Sequence, residues 1–519
     1  MLIFTLNSSY IRPMIPKSLQ KWRPEPGFPF KCGLEIHTQL KTKHKLFSLS
    51  RNAAEGPPNS NTSYFDVGLP GTFPKLNPEA LLLALKAAAV LKSRVNPISS
   101  FDRKHYFYLD QPLGYQITQH YRPLANGGSL QLTRNFDDVL EDKTIGIEQI
   151  QIEQDTAKLN YDAFGQSTAI DFNRANVPLI ELVTKPDFNH LLQVRAFVKK
   201  YIGIMTHLGV CSGDMENGAM RCDVNVSVAG GNRVEIKNLG STSEIAAAVI
   251  YEYARQVNHL KSSALPIEQE TRAWNGKETV RTRSKEDAVD YRYFPDTELP
   301  LVHLKPEITQ QISAMLPDLP DQIVEKLMLD PFLLEKKHAK FLVESRSIHA
   351  YYMDIHDILV SRASGCLAKT LNNWFFHNLL GTFKKFDQPV DPSVLPADKF
   401  ASLIMMVQNN EISLTSAKLI LTALIQSPET TQSLSIREMV DHYDLGAPAD
   451  LAEGEFENAV RDICLEIIDN HPDVVETVRK GKHKSIKFLI GQAMRETQGK
   501  VDSRKFDQCF TSLLLGRKD

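Results

Sequence analysis

The chain has 519 residues, a formal net charge of −2 and a hydrophobic content of 42%, values typical of a soluble protein with roughly three or four domains. The near-neutral charge gives no overall field that would attract nucleic acid. The six cysteines form no CxxC pair, which argues against a zinc knuckle and against a disulfide-rich secreted scaffold. No apolar run in the sequence reaches the length of a membrane span.

Residues 1–24 differ in composition from the rest of the chain. They contain four basic residues and no acidic one, with serines interspersed. A basic, acid-poor, serine-containing leader is typical of a mitochondrial transit segment, and an ordinary disordered tail is the alternative. We therefore predict a transit segment over residues 1–24.

The first predicted strand covers residues 31–40. Apolar and polar residues alternate there, which places Glu35, His37 and Gln39 on one face of the strand. A carboxylate and an imidazole two residues apart are by themselves a weak signal of a metal site. A packed core histidine is the alternative interpretation of His37.

Two later stretches add carboxylates to strands. Residues 145–155 alternate and contain Glu153, but their first isoleucines are out of phase with the later ones, which predicts a β-bulge near Glu148 and Gln149. Residues 172–187 form an apolar run that is interrupted by Glu181. Each stretch is expected to contribute a carboxylate to a polar face.

Residues 218–240 predict a β-hairpin with one apolar and one charged face, joined by the turn sequence Ala-Gly-Gly-Asn. The sequence Ser-Thr-Ser-Glu at 241–244 is a capping box that should start the next helix. That helix can cover the apolar face of the hairpin. The charged face would then be left open, and it carries Arg221, Asp223, Glu235 and Lys237.

These strands together predict one acidic face, whose members are Glu35, His37, Glu153, Glu181, Asp223 and Glu235. The carboxylates would repel one another unless cations lie among them, and carboxylates with an occasional imidazole and water suit Mg²⁺. A Mg²⁺ cluster beside Arg221, Lys237 and Arg292 is what a phosphoryl-transfer site needs. The alternative is a solvated surface whose mixed charges pair with one another.

From about residue 300 the pattern changes to helices. Apolar spacings near 3.6 residues predict helices over 306–316, 319–329 and 364–380. Residues 387–396 contain three prolines and no periodicity, so they are the best linker candidate. Helices resume over residues 397–519.

The end of the chain is basic. Residues 470–519 hold eleven Lys or Arg and six Asp or Glu, an excess of five positive charges. Such a patch can be an ordinary solvated face, but it can also contact phosphates of a nucleic acid. The charge is concentrated at the start of one predicted helix, in Arg479, Lys480, Lys482, Lys484 and Lys487.

Seven motifs follow one another in a recognisable order. They include GLEIHTQLKTKHKLFS, HYFYLDQPLGYQITQ, NRANVPLIELVTKPD, VEIKNLGSTSEI and the long block ETRAWNGKETVRTRSKEDAVDYRYFPDTELP. In order and spacing they resemble the GatB family, the B subunits of the glutamyl-tRNA(Gln) amidotransferase. The resemblance covers about residues 30–519, and the basic leader favours the mitochondrial form.

The resemblance implies an activity and an architecture. Family members convert Glu-tRNA(Gln) to Gln-tRNA(Gln): they use ATP and Mg²⁺ to phosphorylate the glutamate side chain, and ammonia displaces the phosphate. The ammonia comes through a tunnel from a glutaminase partner, the amidase-type A subunit of the enzyme, and a third small subunit is a further partner. The fold implied is α+β, with a strand-rich cradle domain (30–300) whose antiparallel sheet carries the active site, a helical domain (301–390) and a small all-α tail (397–519) that contacts tRNA in the mitochondrial matrix.

The expected site residues fall into groups. Mg²⁺ would be held by Glu35, His37, Glu153 and Glu181. The acidic face would be completed by Asp223 and Glu235, and phosphates would be contacted by Arg221, Lys237 and Arg292. The tunnel mouth would be lined by Lys104, and tRNA would contact Arg479, Lys480, Lys482, Lys484 and Lys487.

Three departures from the family pattern qualify this expectation. Ser48 and Ser50 stand where family members often have zinc-binding cysteines, so no zinc is expected. Gln154 replaces an acid that is linked to metal binding and the tunnel gate, and Leu113 stands where a tunnel lysine would lie. The number of metals and the ammonia route are therefore less constrained than the overall reaction.

Two other functions share parts of this pattern. A tRNA-holding scaffold would leave all catalysis to partner subunits, but phosphates would be repelled by an acidic face without metals. A metal-dependent phosphohydrolase would share the acidic cluster, but it would not need a helical tail. ATP use that depends on Glu-tRNA(Gln) separates the three.

Overall fold

The computed structural model describes residues 21–515 except 54–55, 162–166, 264, 285–289, 363–367, 432, 444, 446–452, 480–481 and 498–500. These residues divide after Asp321 into two compact units. Residues 1–20 of the predicted leader lie outside the described part. Among the described helices, none combines the length and apolar character needed to cross a membrane.

All of the described strands belong to the first unit. They are β1 (Phe30–Gln39), β2 (Arg94–Val95), β3 (Ile98–Ser99), β4 (Asp102–His105), β5 (Tyr115–Thr118), β6 (Ala125–Asn126), β7 (Ser129–Leu132), β8 (Lys143–Gln154), β9 (Lys158–Tyr161), β10 (Thr168–Asp171), β11 (Pro178–Thr184), β12 (Met220–Val228), β13 (Val234–Leu239), β14 (Glu270–Trp274), β15 (Thr279–Ser284), β16 (Phe294–Pro295) and β17 (Val302–His303).

A ten-stranded sheet dominates this unit, in the order β15-β14-β13-β12-β1-β11-β8-β6-β2, with β7 also paired to β8. Its strand pairs are antiparallel, apart from the parallel pair β13 and β14. Strand β1 lies between β12 and β11, which are distant from it in sequence. Smaller sheets are formed by β16-β4-β5, β10-β9 and β17-β3.

The register of the central strands brings the predicted polar residues together. Pairing of β1 with β12 sets Glu35 opposite Asp223 and His37 opposite Arg221, and pairing of β1 with β11 sets His37 opposite Glu181. The predicted bulge is also confirmed. Val183 pairs with Gln149 and Thr184 with Ile147, so the intervening residue of β8 has no partner in β11.

Helices cover the apolar face of this sheet, and one of them is the helix that the sequence predicted to cover the hairpin. The described helices of the first unit are α1 (Pro78–Val90), α2 (Leu191–His207), α3 (Thr242–Ser262) and α4 (Pro306–Ala314). Helix α3 begins after Ser241, whose side chain accepts a hydrogen bond from the Glu244 amide. The Glu244 carboxylate accepts from the amide of Gly240, one residue before the predicted partner. Ile245 and Val249 of this helix are buried against the sheet in one continuous apolar core.

The second unit is helical. From the boundary onward the described helices are α5 (Pro320–Met328), α6 (Lys336–Glu344), α7 (Arg346–Arg362), α8 (Ala368–Asn373), a π-helical turn (Trp374–Leu379), α9 (Leu380–Lys385), α10 (Ala397–Gln408), α11 (Leu414–Gln426), α12 (Pro428–Thr431), α13 (Ile436–His442), α14 (Glu453–Asn470), α15 (Pro472–Arg479), a 3₁₀ turn (His483–Ser485), α16 (Ile486–Glu496) and α17 (Ser503–Leu515). The predicted α+β class is therefore confirmed.

The compact units begin and end at other residues than the domain boundaries predicted from the sequence. Helix α4 belongs to the first unit because Ile312 is buried in the core under the sheet, so that unit extends past residue 300. The loop 387–396 is not a break between bodies: α10 packs on α7 across it, and Leu395 is buried and accepts a hydrogen bond from Tyr351. A separate apolar core begins in α14 and includes Leu489 and Phe510.

The last residues of the predicted leader contact the first unit. Trp22 packs edge-on against Phe30, His190 and Tyr253, with ring centroids 5.3 to 5.4 Å apart. Its carbonyl oxygen is also 2.9 Å from Nε2 of His190. The predicted boundary at residue 24 therefore overlaps the folded unit.

Candidate active site

Three of the four predicted metal ligands meet on the polar face of the central strands. Ligand atoms of Glu35, His37 and Glu181 all lie within 4.8 Å of one another. The fourth, Glu153 on β8, places Oε1 3.4 Å from Nε2 of His37, and Glu35 Oε1 is 3.8 Å from the same nitrogen. Strand β1 supplies two of these side chains because alternate residues of a strand share a face, and β11 and β8 supply one each.

The electrostatics of this cluster are those of crowded carboxylates. Burial, and then repulsion by Glu181, raise the pKa of Glu35 to about 8. Burial alone would lower the pKa of His37, but attraction to the surrounding carboxylates outweighs it and raises that pKa. The imidazole therefore lies among carboxylates, with Glu153 and Glu35 within 4 Å of its Nε2.

Lys104 on β4 faces the same cluster. Burial would lower its pKa, but attraction to Tyr293, Glu153 and Glu181 outweighs burial and raises it. Its ammonium group also lies over the ring of Tyr291, 4.7 Å from the centroid. The fold thus brings Lys104 within electrostatic reach of the predicted metal ligands.

Arg221 is not available in the way the sequence suggested. Its Nη2 lies 2.8 Å from Oδ1 of Asp155, and attraction to Asp155 raises the pKa of Arg221 despite burial. Burial would raise the pKa of Asp155, but attraction to Arg221 and Arg174 lowers it. The Asp155 carboxylate also accepts a hydrogen bond from Gln39, at 3.1 Å.

Asp155 is therefore a member of the site that sequence reasoning left without a role. Its place two residues after Glu153, on the same face, was visible in the sequence. Which of the two carboxylates would meet the guanidinium depended on the registers of the pairs that connect β12 to β8 through β1 and β11, which the alternation alone does not specify.

Lys237 is likewise held by the hairpin. Its Nζ lies 2.9 Å from Asp223 and 3.0 Å from Glu235. Asp223 also accepts a hydrogen bond from the Asn238 amide at 2.7 Å, and Glu235 accepts one from Thr271 at 3.0 Å. Asp223 and Glu235 therefore orient Lys237, so this hairpin shows the self-paired arrangement that was the alternative interpretation.

Arg292 is not brought into the cluster. Its side chain is 84% exposed, and its described ion pair is with Asp290, at 4.0 Å. Its carbonyl oxygen lies 3.0 Å from Nδ1 of His105, which fixes the backbone beside β4 but leaves the guanidinium in solvent. A role of Arg292 at the phosphates would require its side chain to move.

The departures from the family pattern have structural counterparts. Gln154 is buried, and its Oε1 accepts no hydrogen bond from the described residues. Ser48 donates to Asp66 at 2.9 Å, and Asp66 forms a buried ion pair with Lys45 at 3.3 Å. Polar contacts therefore join this loop where the family pattern would have cysteines.

The predicted tRNA-contacting residues lie at the surface of the second unit. Arg479, Lys482, Lys484 and Lys487 are exposed, and Lys480 lies outside the described residues. The face opposite them packs as predicted, because Ile486 and Leu489 are buried and Ile490 and Met494 pack against the same core.

The donor set fits a divalent cation. Two carboxylates and an imidazole at this spacing can share one ion with water completing its shell, and carboxylates are the preferred protein ligands of Mg²⁺. The raised pKa of Glu35 is the observation that supports the fit, because a cation between Glu35 and Glu181 would remove the repulsion that helps to raise it.

Comparison with known proteins agrees with the geometry. Residues 30–310 match the family described as "GatB/GatE catalytic domain", and residues 358–514 match the "GatB domain". The first match contains the whole acidic cluster. The second contains the exposed basic residues of the tail.

Relatives match along almost their whole length. A Clavispora lusitaniae protein is 64% identical over 96% of this chain and 94% of its own. One from Debaryomyces hansenii is 56% identical over 96% of both, and one from Lachancea thermotolerans is 45% identical over 94% and 93%. Each is named as the mitochondrial B subunit of glutamyl-tRNA(Gln) amidotransferase. The chain therefore belongs to the mitochondrial form of this family and is a component of an amidotransferase enzyme.

Proposed function

We propose that this subunit carries the ATP- and Mg²⁺-dependent activation step in the conversion of Glu-tRNA(Gln) to Gln-tRNA(Gln). The observation that carries the proposal is the convergence of Glu35, Glu181, Glu153 and His37, from three strands, on the open face of the catalytic-domain sheet. An acidic cluster of this kind serves phosphoryl transfer better than it serves passive tRNA binding, since carboxylates without a cation repel phosphates.

The reaction has two steps. A carboxylate oxygen of the glutamyl side chain attacks the γ-phosphorus of ATP, and ADP leaves. Ammonia then attacks the acyl carbon, loses a proton, and phosphate leaves, which gives the amide. Bound Mg²⁺, held by Glu35, Glu181, Glu153 and His37, would supply charge neutralisation at the phosphate oxygens.

The remaining polar residues position this chemistry. Asp155 holds Arg221, and Asp223 and Glu235 hold Lys237, so these two cations would act on the phosphates through the charge that their carboxylate partners leave uncompensated. Lys104, which is attracted by Glu153 and Glu181, would line the entrance for ammonia beside the cluster.

The partners follow from the same reaction. A glutaminase, the amidase-type component of the enzyme, would supply ammonia, and a small third subunit would complete the enzyme in the mitochondrial matrix. The exposed basic residues of α15 to α16 would contact tRNA phosphates without reading sequence. We propose that the tail carries tRNA contact while the first unit carries the chemistry.

The test is a pair of isosteric substitutions. Glu35→Gln and Glu181→Gln should each lower tRNA-dependent ATP use by at least about a hundredfold, because a weakened metal site costs several kcal/mol of charge stabilisation. Glu148→Gln, on the exposed bulge of β8, is the matched control and should retain activity. Near-wild-type activity of both site variants, in an assembled complex, would refute the assignment.

A further inference from the structure

The tail of the second unit has a small apolar core of its own. Helices α14 to α17 enclose it, and its buried side chains include Val478, Leu489 and Phe510. Helix α17 packs on α14 and on α16, so the first and the last of these helices are neighbours. A small core buries a smaller fraction of its chain than a large one does, so each added constraint has a larger effect on its stability.

Two cysteines meet in this core. Cys464 on α14 is fully buried, and Cys509 on α17 packs against the same core with its side chain partly exposed. The side chains of the two cysteines are hydrogen-bonded to each other. Cysteines on two packed helices whose side chains already touch have the proximity that a disulfide requires.

The two thiols differ in their reactivity. Burial raises the pKa of Cys464, and the contact with Cys509 raises it further, so this thiol stays protonated and is a poor nucleophile. Of the five cysteines that the structure describes, Cys509 is the one with a partly exposed side chain, and the other four are buried. An oxidant in solution would therefore react first at Cys509, with Cys464 placed to react with the product.

We propose that Cys464 and Cys509 form a reversible disulfide on exposure to hydrogen peroxide. The thiolate of Cys509 attacks one oxygen of the peroxide, the O–O bond breaks, and the departing hydroxide takes up a proton to give water. The sulfur of Cys464 then attacks the sulfenic acid at Cys509 and gives up its proton, and the second oxygen leaves as water. The two thiols lose two electrons in all, and a dithiol reductant reverses the reaction.

The disulfide would join the two ends of the segment that carries the basic residues of the tail. All of the exposed basic residues of α15 to α16 lie between Cys464 and Cys509 in the chain. Closing a segment of this length restricts the unfolded tail more than the folded tail, so the bond stabilises the folded form that presents those cations. The chain belongs to a mitochondrial family, and respiration supplies the peroxide. In a reducing compartment such bonds are typically transient and redox-sensing.

Mass spectrometry of the assembled complex tests the bond itself. After treatment with hydrogen peroxide and alkylation of the remaining thiols, the peptides that contain Cys464 and Cys509 should be linked, and dithiothreitol should separate them. Cys509→Ser should abolish the link, whereas Cys211→Ala, which replaces a buried cysteine of the first unit, should leave it intact. In Cys464→Ala the sulfenic acid at Cys509 has no thiol to react with, so dimedone should trap it. Equal alkylation of both cysteines before and after peroxide, or a link from Cys509 to a different cysteine, would overturn the proposal.

Hydrogen exchange of the same complex measures what the bond does. In the oxidised wild type the amides of α14 and α17 should exchange at least about tenfold more slowly than in the reduced protein. The amides of α2 in the first unit should not change, and peroxide should have no effect on α14 and α17 in Cys509→Ser. A linked pair of peptides without slower exchange would refute the stabilising role.

Binding of Glu-tRNA(Gln) separates this inference from the proposed function, on which its last step rests. The oxidised complex should retain its affinity for the tRNA to a temperature at least about 5 °C higher than the reduced complex does. If the bond forms and exchange slows but tRNA binding fails at the same temperature in both forms, the proposed tRNA contact of the tail is refuted while the disulfide stands.

Discussion

Glu181→Gln should move stability and activity in opposite directions. The substitution keeps the shape of the side chain, and its amide oxygen can still accept the hydrogen bond that Gln151 donates to Glu181. It removes the negative charge that, after burial, is the largest cause of the raised pKa of Glu35. Without a bound divalent cation the variant should be more stable than the wild type near pH 8.

The magnitude follows from the pKa of Glu35. Its rise from 4.5 to about 8 corresponds to roughly 5 kcal/mol between the ionised and neutral forms. Burial accounts for the larger share, and lost attraction between Glu181 and His37 offsets part of the gain. We therefore expect a net stabilisation on the order of 1 kcal/mol, or roughly 2 °C in Tm for a unit of this size.

Thermal unfolding in EDTA and calorimetric titration with Mg²⁺ check both halves of this prediction. The variant should unfold later than the wild type at about pH 8. It should unfold earlier than the wild type at about pH 5, where Glu35 is already protonated in the folded protein and only the lost attraction between Glu181 and His37 counts. Mg²⁺ should bind it at least about tenfold more weakly. A variant that is less stable than the wild type at about pH 8, or one with unchanged Mg²⁺ affinity, would show that Glu35 and Glu181 do not form one cation site.

Three other predictions follow from the same contacts. In EDTA the Tm of the wild type should fall as the pH rises from about 5 to about 8. Folding raises the pKa of Glu35 and of His37, so the stabilisation from their bound protons is lost as these groups release them. Added Mg²⁺ should raise the Tm more at about pH 8 than at about pH 5. Asp155→Asn should lower the free energy of unfolding by about 3 kcal/mol in denaturant titrations, because it leaves the largely buried guanidinium of Arg221 without its carboxylate; a loss below about 1 kcal/mol would contradict this. A triple variant that neutralises the exposed cations Arg479, Lys482 and Lys484 should bind tRNA more weakly and reach an unchanged rate at saturating tRNA. The slope of log affinity against log salt concentration should become less steep by up to about three. An unchanged slope would show that these residues are ordinary solvated surface.

The polar face could be predicted because its cause is local. Apolar and polar residues must alternate along a strand that a helix covers on one side. The alternation around Glu35 and Asp223 therefore shows which face of the sheet each side chain occupies. The phase change before Gln149 likewise revealed the bulge in β8. These features depend on neighbours within a few residues, and the sequence contains them directly.

Partner choice across strands could not be predicted in the same way. Arg221 and Lys237 were assigned to phosphates, but the register gives them Asp155, Asp223 and Glu235 as partners. Alternation fixes the face of a residue and not its opposite neighbour. Arg292 was predicted to lie beside the metals because a phosphoryl-transfer site needs cations, but its side chain lies in solvent.

The limits of the compact bodies depended on tertiary contacts. Nothing in the periodicity of α4 says that Ile312 is buried under the sheet. Likewise, the three prolines of 387–396 describe an irregular loop accurately, but α10 still packs on α7 across it. An irregular backbone can be predicted from neighbouring residues in the sequence. A domain boundary depends on which distant segments pack together, so it cannot be predicted in the same way.

ATP consumption by the purified complex, with and without Glu-tRNA(Gln), tests the central claim most directly. With Mg²⁺ present, the account predicts ATP turnover that requires the charged tRNA and accompanies formation of Gln-tRNA(Gln), and that is lost in Glu35→Gln but kept in Glu148→Gln. Turnover without tRNA would identify a phosphohydrolase. Full activity of Glu35→Gln, with the complex intact, would show that this chain is a scaffold and that the chemistry lies elsewhere.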